Sequence, residues 1–105
     1  MHNTNRQNKF KAKIFNALAD QTRLEIIEFL RGGEKCVCEI IPHLGLGQPL
    51  VSRHLKILKE HGLVKDRKDG NRRLYSVTDP RIFTLIDAAT PELVDALSKR
   101  LVEQI

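Results

Sequence analysis

The chain has no tryptophan, a single tyrosine and only 5% aromatic residues. A core assembled from such a sequence has to be aliphatic, which favours helices packed through Leu, Ile and Val. No apolar run approaches the roughly 18 residues needed to cross a bilayer, and the opening MHNTNRQNKFKAK contains no apolar stretch of the kind that directs secretion. These absences imply a cytoplasmic protein with no membrane partner. There are only two cysteines, Cys36 and Cys38, which excludes a scaffold stapled by several disulfides. In a reducing compartment the pair has three uses left to it: metal binding, redox chemistry or plain burial. Also missing are a nucleophile paired with a base, an open metal site and a glycine-rich phosphate loop, so the chain does not read as an enzyme. A thiol oxidoreductase built on Cys36-Val37-Cys38 is the least implausible enzyme, but no substrate pocket is marked.

What remains is a 105-residue chain with 18 Lys and Arg against 13 Asp and Glu, a net charge of +5. That length suits one compact domain. Residues 1–8 are polar and unpatterned and read as a flexible tail, with a single domain over 9–105. Phe10, Ile14, Ala17 and Leu18 recur at helical spacing, and Asp20 is an N-cap for a second helix through Arg31 that ends at Gly32-Gly33. A short third helix is predicted from about Cys36 to Leu44, closed by Gly45 and Gly47, with Pro42 awkwardly inside it.

The stretch QPLVSRHLKILKEHG predicts a fourth helix with Pro49 at its first position. At about 100° per residue, Gln48, Pro49, Ser52, Arg53, Lys56, Lys59 and Glu60 fall on one arc, and Leu50, Val51, Leu55, Ile57 and Leu58 on the other. One face is buriable; the other is short, polar and net positive. A hairpin follows in LVKDRKDGNRRLYSV, with Asp69-Gly70 as its turn signal. Its sides carry Lys65, Arg67, Lys68, Arg72 and Arg73, five cations within nine positions. Two more helices close the chain, the last capped by Thr90, started by Pro91 and striped by Leu93, Val94, Leu97, Leu101 and Ile105. The class is therefore mainly α with one β-hairpin. Two short helices joined by a glycine turn, then a basic hairpin, describe a winged helix-turn-helix: helix four fits the major groove while the wing grips neighbouring phosphates.

The runs ALADQTRLEIIEFL, CVCEI, QPLVSRHLKILKEHGLV and RKDGNRRLYSV together resemble the ArsR/SmtB family of metal- and metalloid-responsive repressors over about residues 9–90. The resemblance implies a homodimer joined through its first and last helices, bound to double-stranded operator DNA and released by metal. The stripes Phe10/Ile14/Leu18 and Leu93/Leu97/Leu101 suit such a dimer and equally suit an intrachain core. Carried over, the DNA-reading positions are Gln48, Ser52, Arg53 and Lys56: Arg53 to guanine, Gln48 to adenine, Ser52 and Lys56 to phosphate. Gly47 stands where the family often has a serine cap, and His54 of the SRHL motif lies among the apolar residues of the helix, as a structural histidine would.

CVCEI matches the family's CxC element, which implies thiolate ligands to As(III), or to Cd, Pb or Zn with further ligands. Positions two apart on an ideal helix diverge by about 200°, so Cys36 and Cys38 share an ion only where the helix start is unwound. Ile41 occupies the place of a third cysteine; His2, reaching across a dimer, and His43 are the substitute donors. The family's other metal site is broken, because Arg81 follows Asp79 where a histidine is needed, and Glu92 and Asp95 replace the later pair. Two alternatives stand beside metal release: a redox- or persulfide-responsive repressor of the same fold, and a winged-helix module that binds protein and not DNA.

Overall fold

The computed structural model describes residues 2–104. Helix α1 (His2–Leu18) and helix α2 (Gln21–Phe29) are separated by Asp20, whose carboxylate accepts the backbone N–H of Arg23 and so caps α2. A 3-10 turn, Leu30–Gly32, continues α2 and stops at Gly33, which has φ +118°. Strand β1 (Lys35–Cys36) leads into α3 (Val37–Leu44), and α4 (Gln48–Glu60) follows after the left-handed Gly45. Strands β2 (Val64–Asp69) and β3 (Arg72–Val77) form the hairpin, and α5 (Arg81–Asp87) and α6 (Pro91–Glu103) end the chain, α6 capped by the Thr90 hydroxyl. The architecture is a winged helix-turn-helix, mainly helical.

The expected features differ from this in four places. Residues 2–8, read as a loose tail, continue α1, because a polar sequence carries no apolar period by which a helix betrays itself. The hairpin turn lies at Gly70-Asn71, one residue further on than the Asp69-Gly70 signal, since Asp69 still pairs with Arg72. Gly70 alone has positive φ there, as the first central position of a type II′ turn demands. The third difference is β1 itself, two residues long, which turns the hairpin into a three-stranded antiparallel sheet of order β1-β3-β2. The fourth is Leu50, which projects from α4 largely exposed and does not join the buried face.

One aliphatic core unites the elements: Ala17 and Leu18 from α1, Ile26 and Ile27 from α2, Ile40 from α3, Val51, Leu55 and Leu58 from α4, and Leu63 and Val64 entering β2. Burying this face of α4 fixes which face is left to solvent. By contrast α6 buries nothing: Leu93, Val94, Leu97, Leu101 and Val102 are all exposed, as are Phe10 and Phe15 of α1. Ile105 lies outside the described residues. No helix among them is long and apolar enough to cross a membrane.

Candidate functional site

The exposed polar face of α4 begins at Gly47, which takes the N-cap conformation (φ −68°, ψ 151°) without offering a side-chain acceptor. The first N–H groups of α4 thus have no capping side chain, and they carry the positive end of the helix dipole toward whatever lies in front. Gln48, Ser52, Arg53 and Lys56 project from this helix into solvent on the side opposite Val51, Leu55 and Leu58. His54 is buried, as its place among the apolar residues implies; its Nδ1 lies 3.3 Å from the Arg23 guanidinium and 4.0 Å from the Asp20 carboxylate. Arg23 also donates to the carbonyls of Ala17 (2.6 Å) and Asn16 (3.3 Å), tying the end of α1 to the start of α2 and to α4. His54 is therefore a brace behind the reading face.

All five wing cations are exposed, but they are not equally free. Arg67 makes two 2.8 Å bonds, from Nε and Nη2, to the Glu34 carboxylate just ahead of β1. Arg73 Nη1 donates to Asp66 at 2.8 Å, and Lys59 of α4 reaches the other oxygen of the same carboxylate, also at 2.8 Å. The Asp66 side chain is only 8% exposed. Its carboxyl is held below the usual aspartate range by the Lys59 ammonium first, with Arg73 adding to it against the cost of burial. Glu34 is lowered likewise, chiefly by Arg67. Among the described residues no ion pair engages Lys65, Lys68 or Arg72. From sequence Asp66 is only a partial offset to these charges and Glu34 is not singled out, because both meet their arginines across the sheet.

Cys36 is not helical. With φ −71° and ψ 146° it ends β1, paired with Leu74 of β3, and serves as the N-cap of α3. Its Sγ accepts the Cys38 N–H at 3.0 Å, and its own N–H donates to the Glu39 carboxylate at 3.1 Å, so sulfur and carboxylate close a capping box. This extended residue is the unwound helix start that two neighbouring sulfurs require, and the structure joins Cys36 and Cys38 in a disulfide. Cys36 is buried and Cys38 exposed. Pro42, four residues past Cys38, lacks the N–H that would bond the Cys38 carbonyl, so the first turn of α3 is held less firmly than an ordinary one.

The sulfurs find no third donor: among the described residues no three His, Cys, Asp or Glu side chains cluster as a metal site. His43 stacks flat on Phe29 with ring centroids 3.9 Å apart, and the His2 side chain lies outside the described residues. At the family's second metal position the Arg81 guanidinium bonds Asp79 at 2.6 Å and holds that carboxyl at a pKa of about 2, so a cation already occupies the place a metal would take.

Comparison with known proteins agrees with this geometry. The family described as bacterial regulatory protein, arsR family, matches residues 20–66, which run from the cap of α2 through α4 into β2. The chain is 42% identical to the arsenical resistance operon repressor of Staphylococcus aureus over 61% of its own length and 62% of that protein's. It is 40% identical to the arsenical resistance operon repressor of Escherichia coli K12 over 88% of its length and 85% of that repressor's. In structure it is similar to the homodimeric winged helix-turn-helix DNA-binding domain of a Mycobacterium bovis protein, with a TM-score of 0.74 at 27% identity, covering 97% of this chain and 90% of that one. Residues, fold and relatives converge, and the chain belongs to the arsR family of bacterial regulatory proteins.

Proposed function

We propose that this protein is a transcriptional repressor that binds operator DNA as a homodimer and is released when a thiophilic ion, As(III) foremost, occupies Cys36 and Cys38. The observation that carries the DNA reading is the reading face of α4: Gln48, Ser52, Arg53 and Lys56 stand in solvent beside a wing of five exposed cations, while the opposite face is fixed in the core. Arg53 forks onto guanine and Gln48 onto adenine, and Ser52, Lys56 and the wing residues Lys65, Arg67, Lys68, Arg72 and Arg73 neutralise phosphates. The exposed apolar stripes of α1 and α6 supply the dimer contact, and two-fold symmetry places the two α4 helices in successive major grooves.

The donor set favours As(III). Two thiols condense with arsenous acid, forming two As–S bonds for two As–O bonds and releasing two waters, and the ion keeps one oxygen ligand. The reaction takes the reduced dithiol, which two equivalents of a small thiol regenerate from the disulfide by exchange, leaving as their own disulfide. Zinc, cadmium and lead would each need donors beyond the two sulfurs, zinc two of them, since a closed tetrahedral zinc site asks for four ligands. Oxidation is the second reading, favoured by the bonded state of Cys36 and Cys38: there the disulfide and the dithiol are the two regulatory states.

Fluorescence anisotropy of labelled DNA from upstream of the gene decides between them, with wild type and Cys36→Ser/Cys38→Ser titrated first with DNA and then with arsenite, cadmium, lead, zinc or peroxide. Release by arsenite from wild type alone is the expected result; release by peroxide alone selects the redox reading. Specific binding that no agent disturbs removes the cysteines from regulation. Binding that barely responds to salt, against a fall of tenfold or more for several phosphate contacts, removes DNA as the partner.

A further inference from the structure

The sheet register ties the cysteine site to the wing. Cys36 pairs with Leu74, and Leu74 pairs with Arg67, so buried sulfur and wing guanidinium stand in one row across three strands. Side chains alternate along a strand, which puts Glu34, two residues before Cys36, on the same face as Arg67. Glu34 uses that position to hold Arg67 by both carboxylate oxygens. The segment from Gly33 to Cys36 is otherwise held chiefly at its buried Cys36 end. It starts at a glycine in a conformation that L side chains rarely adopt, its two strand residues pair only with β3, and it ends at a helix cap whose acceptor is the Cys36 sulfur itself.

Capture of an ion by Cys36 and Cys38 replaces their sulfur–sulfur bond with two bonds to one centre and moves the sulfurs apart, so the cap that anchors β1, where Cys36 Sγ accepts the Cys38 N–H, is rearranged as the site fills. Operator binding makes the opposite demand on the same strand, because a phosphate that receives Arg67 must displace Glu34. Resting on the repressor reading above, we infer that Glu34 is a positioning residue that couples the cysteine pair to DNA: it competes with phosphate for Arg67, and occupancy of Cys36 and Cys38 strengthens its hold. The wing is then an arm of the release mechanism, with Arg67 as the contact surrendered. Linkage requires the converse, that bound operator weakens ion capture by the same factor.

The test uses Glu34→Gln, Arg67→Gln and the double variant in the full chain, with arsenite as the probe. Operator affinity is read by anisotropy at several salt concentrations, and arsenite binding to the DNA-free protein by calorimetry. Glu34→Gln is expected to bind arsenite as wild type does, to bind operator about two- to fivefold more tightly, the range an exposed ion pair supplies, and to respond to salt about one counterion more steeply. Its arsenite-driven loss of affinity should shrink several-fold. Arg67→Gln should lose both the steeper slope and most of the arsenite response, and adding Glu34→Gln to it should change nothing. A merely structural Glu34 would not alter the salt slope. Wild-type slope, affinity and arsenite response in Glu34→Gln overturn the coupling while leaving the repressor reading intact. A wild type that arsenite does not release overturns the cysteine reading and the coupling together, even where Glu34→Gln still raises affinity.

Discussion

Asp66→Asn tests whether the reading helix and the wing are locked together. Asp66 receives Lys59 from α4 and Arg73 from β3, each at 2.8 Å, on a carboxylate that is 8% exposed while its two partners are about half exposed. Hydrogen bonds to a charged group contribute about 1.5–3 kcal/mol when buried, and fully exposed ion pairs about 0.2–1 kcal/mol. The half-exposed cations keep water when the charge is removed, so the pair of bonds lies between those limits, at about 1–2 kcal/mol. For a domain of this size that is a fall in Tm of about 5–10 °C. The carboxyl is depressed in the folded protein, so its contribution is complete above the ordinary aspartate pKa of about 3.9 and disappears as pH falls through the lower folded value. Wild type should therefore lose this increment between about pH 5 and pH 2, and Asp66→Asn should have none to lose. Urea denaturation at fixed protein concentration, repeated across that range, measures both. A variant within about 0.3 kcal/mol of wild type at pH 7, or one that loses stability with acid by the same amount, refutes the clamp.

Three further outcomes are expected. Leu97→Glu, at a position 57% exposed on α6, should convert dimer to monomer at micromolar concentration in sedimentation equilibrium with unchanged helicity, and a persistent dimer would exclude the α6 stripe as the contact. Arg53→Ala should cost about 1–3 kcal/mol for the operator while barely affecting random DNA, whereas Lys68→Ala should weaken both alike and lower the salt slope by about one; the reverse pattern would reassign the two roles. Arg23→Ala strips the Ala17 carbonyl of its 2.6 Å donor and His54 of its neighbour, and should cost about 1–3 kcal/mol in urea denaturation. A loss below about 0.5 kcal/mol would leave Arg23 no part in joining α1 to α4.

The helices were legible in the sequence because their signals are local. Asp20 caps its own third neighbour, Thr90 does the same, and Gly45 stops α3 with a left-handed backbone, each within a few residues of the bond it makes. The exposed polar face of α4 was legible for a related reason: once Val51, Leu55 and Leu58 are buried, the rotation of the helix is set and the exposed residues follow. Strand β1 was not. Two residues carry no period, and β1 exists only because β3 lies alongside with Leu74 and Tyr75 in register. The same limit hid the roles of Glu34 and Asp66, whose partners are 33 residues away in one case, beyond the intervening strand β3, and seven in the other, on the neighbouring strand.

The carboxylate partners of Arg67 and Arg73 that pattern reading missed are therefore met across the sheet. These contacts also decide how many wing charges stand free of a carboxylate. Counted from sequence the hairpin offers five cations, but Arg67 and Arg73 each already hold a carboxylate, and a phosphate gains them only by displacing Glu34 or Asp66. Two of the five contacts are thus conditional on the surrounding structure. Asp66 is anchored to the reading helix through Lys59 and so answers to the fold, whereas Glu34 is anchored two residues from Cys36 and so answers to the chemistry of the sulfurs. A uniform loss of affinity on mutating either arginine would make the carboxylates bystanders. A loss in Arg67→Gln that tracks the state of Cys36, beside one in Arg73→Gln that does not, would follow from where the two acids sit.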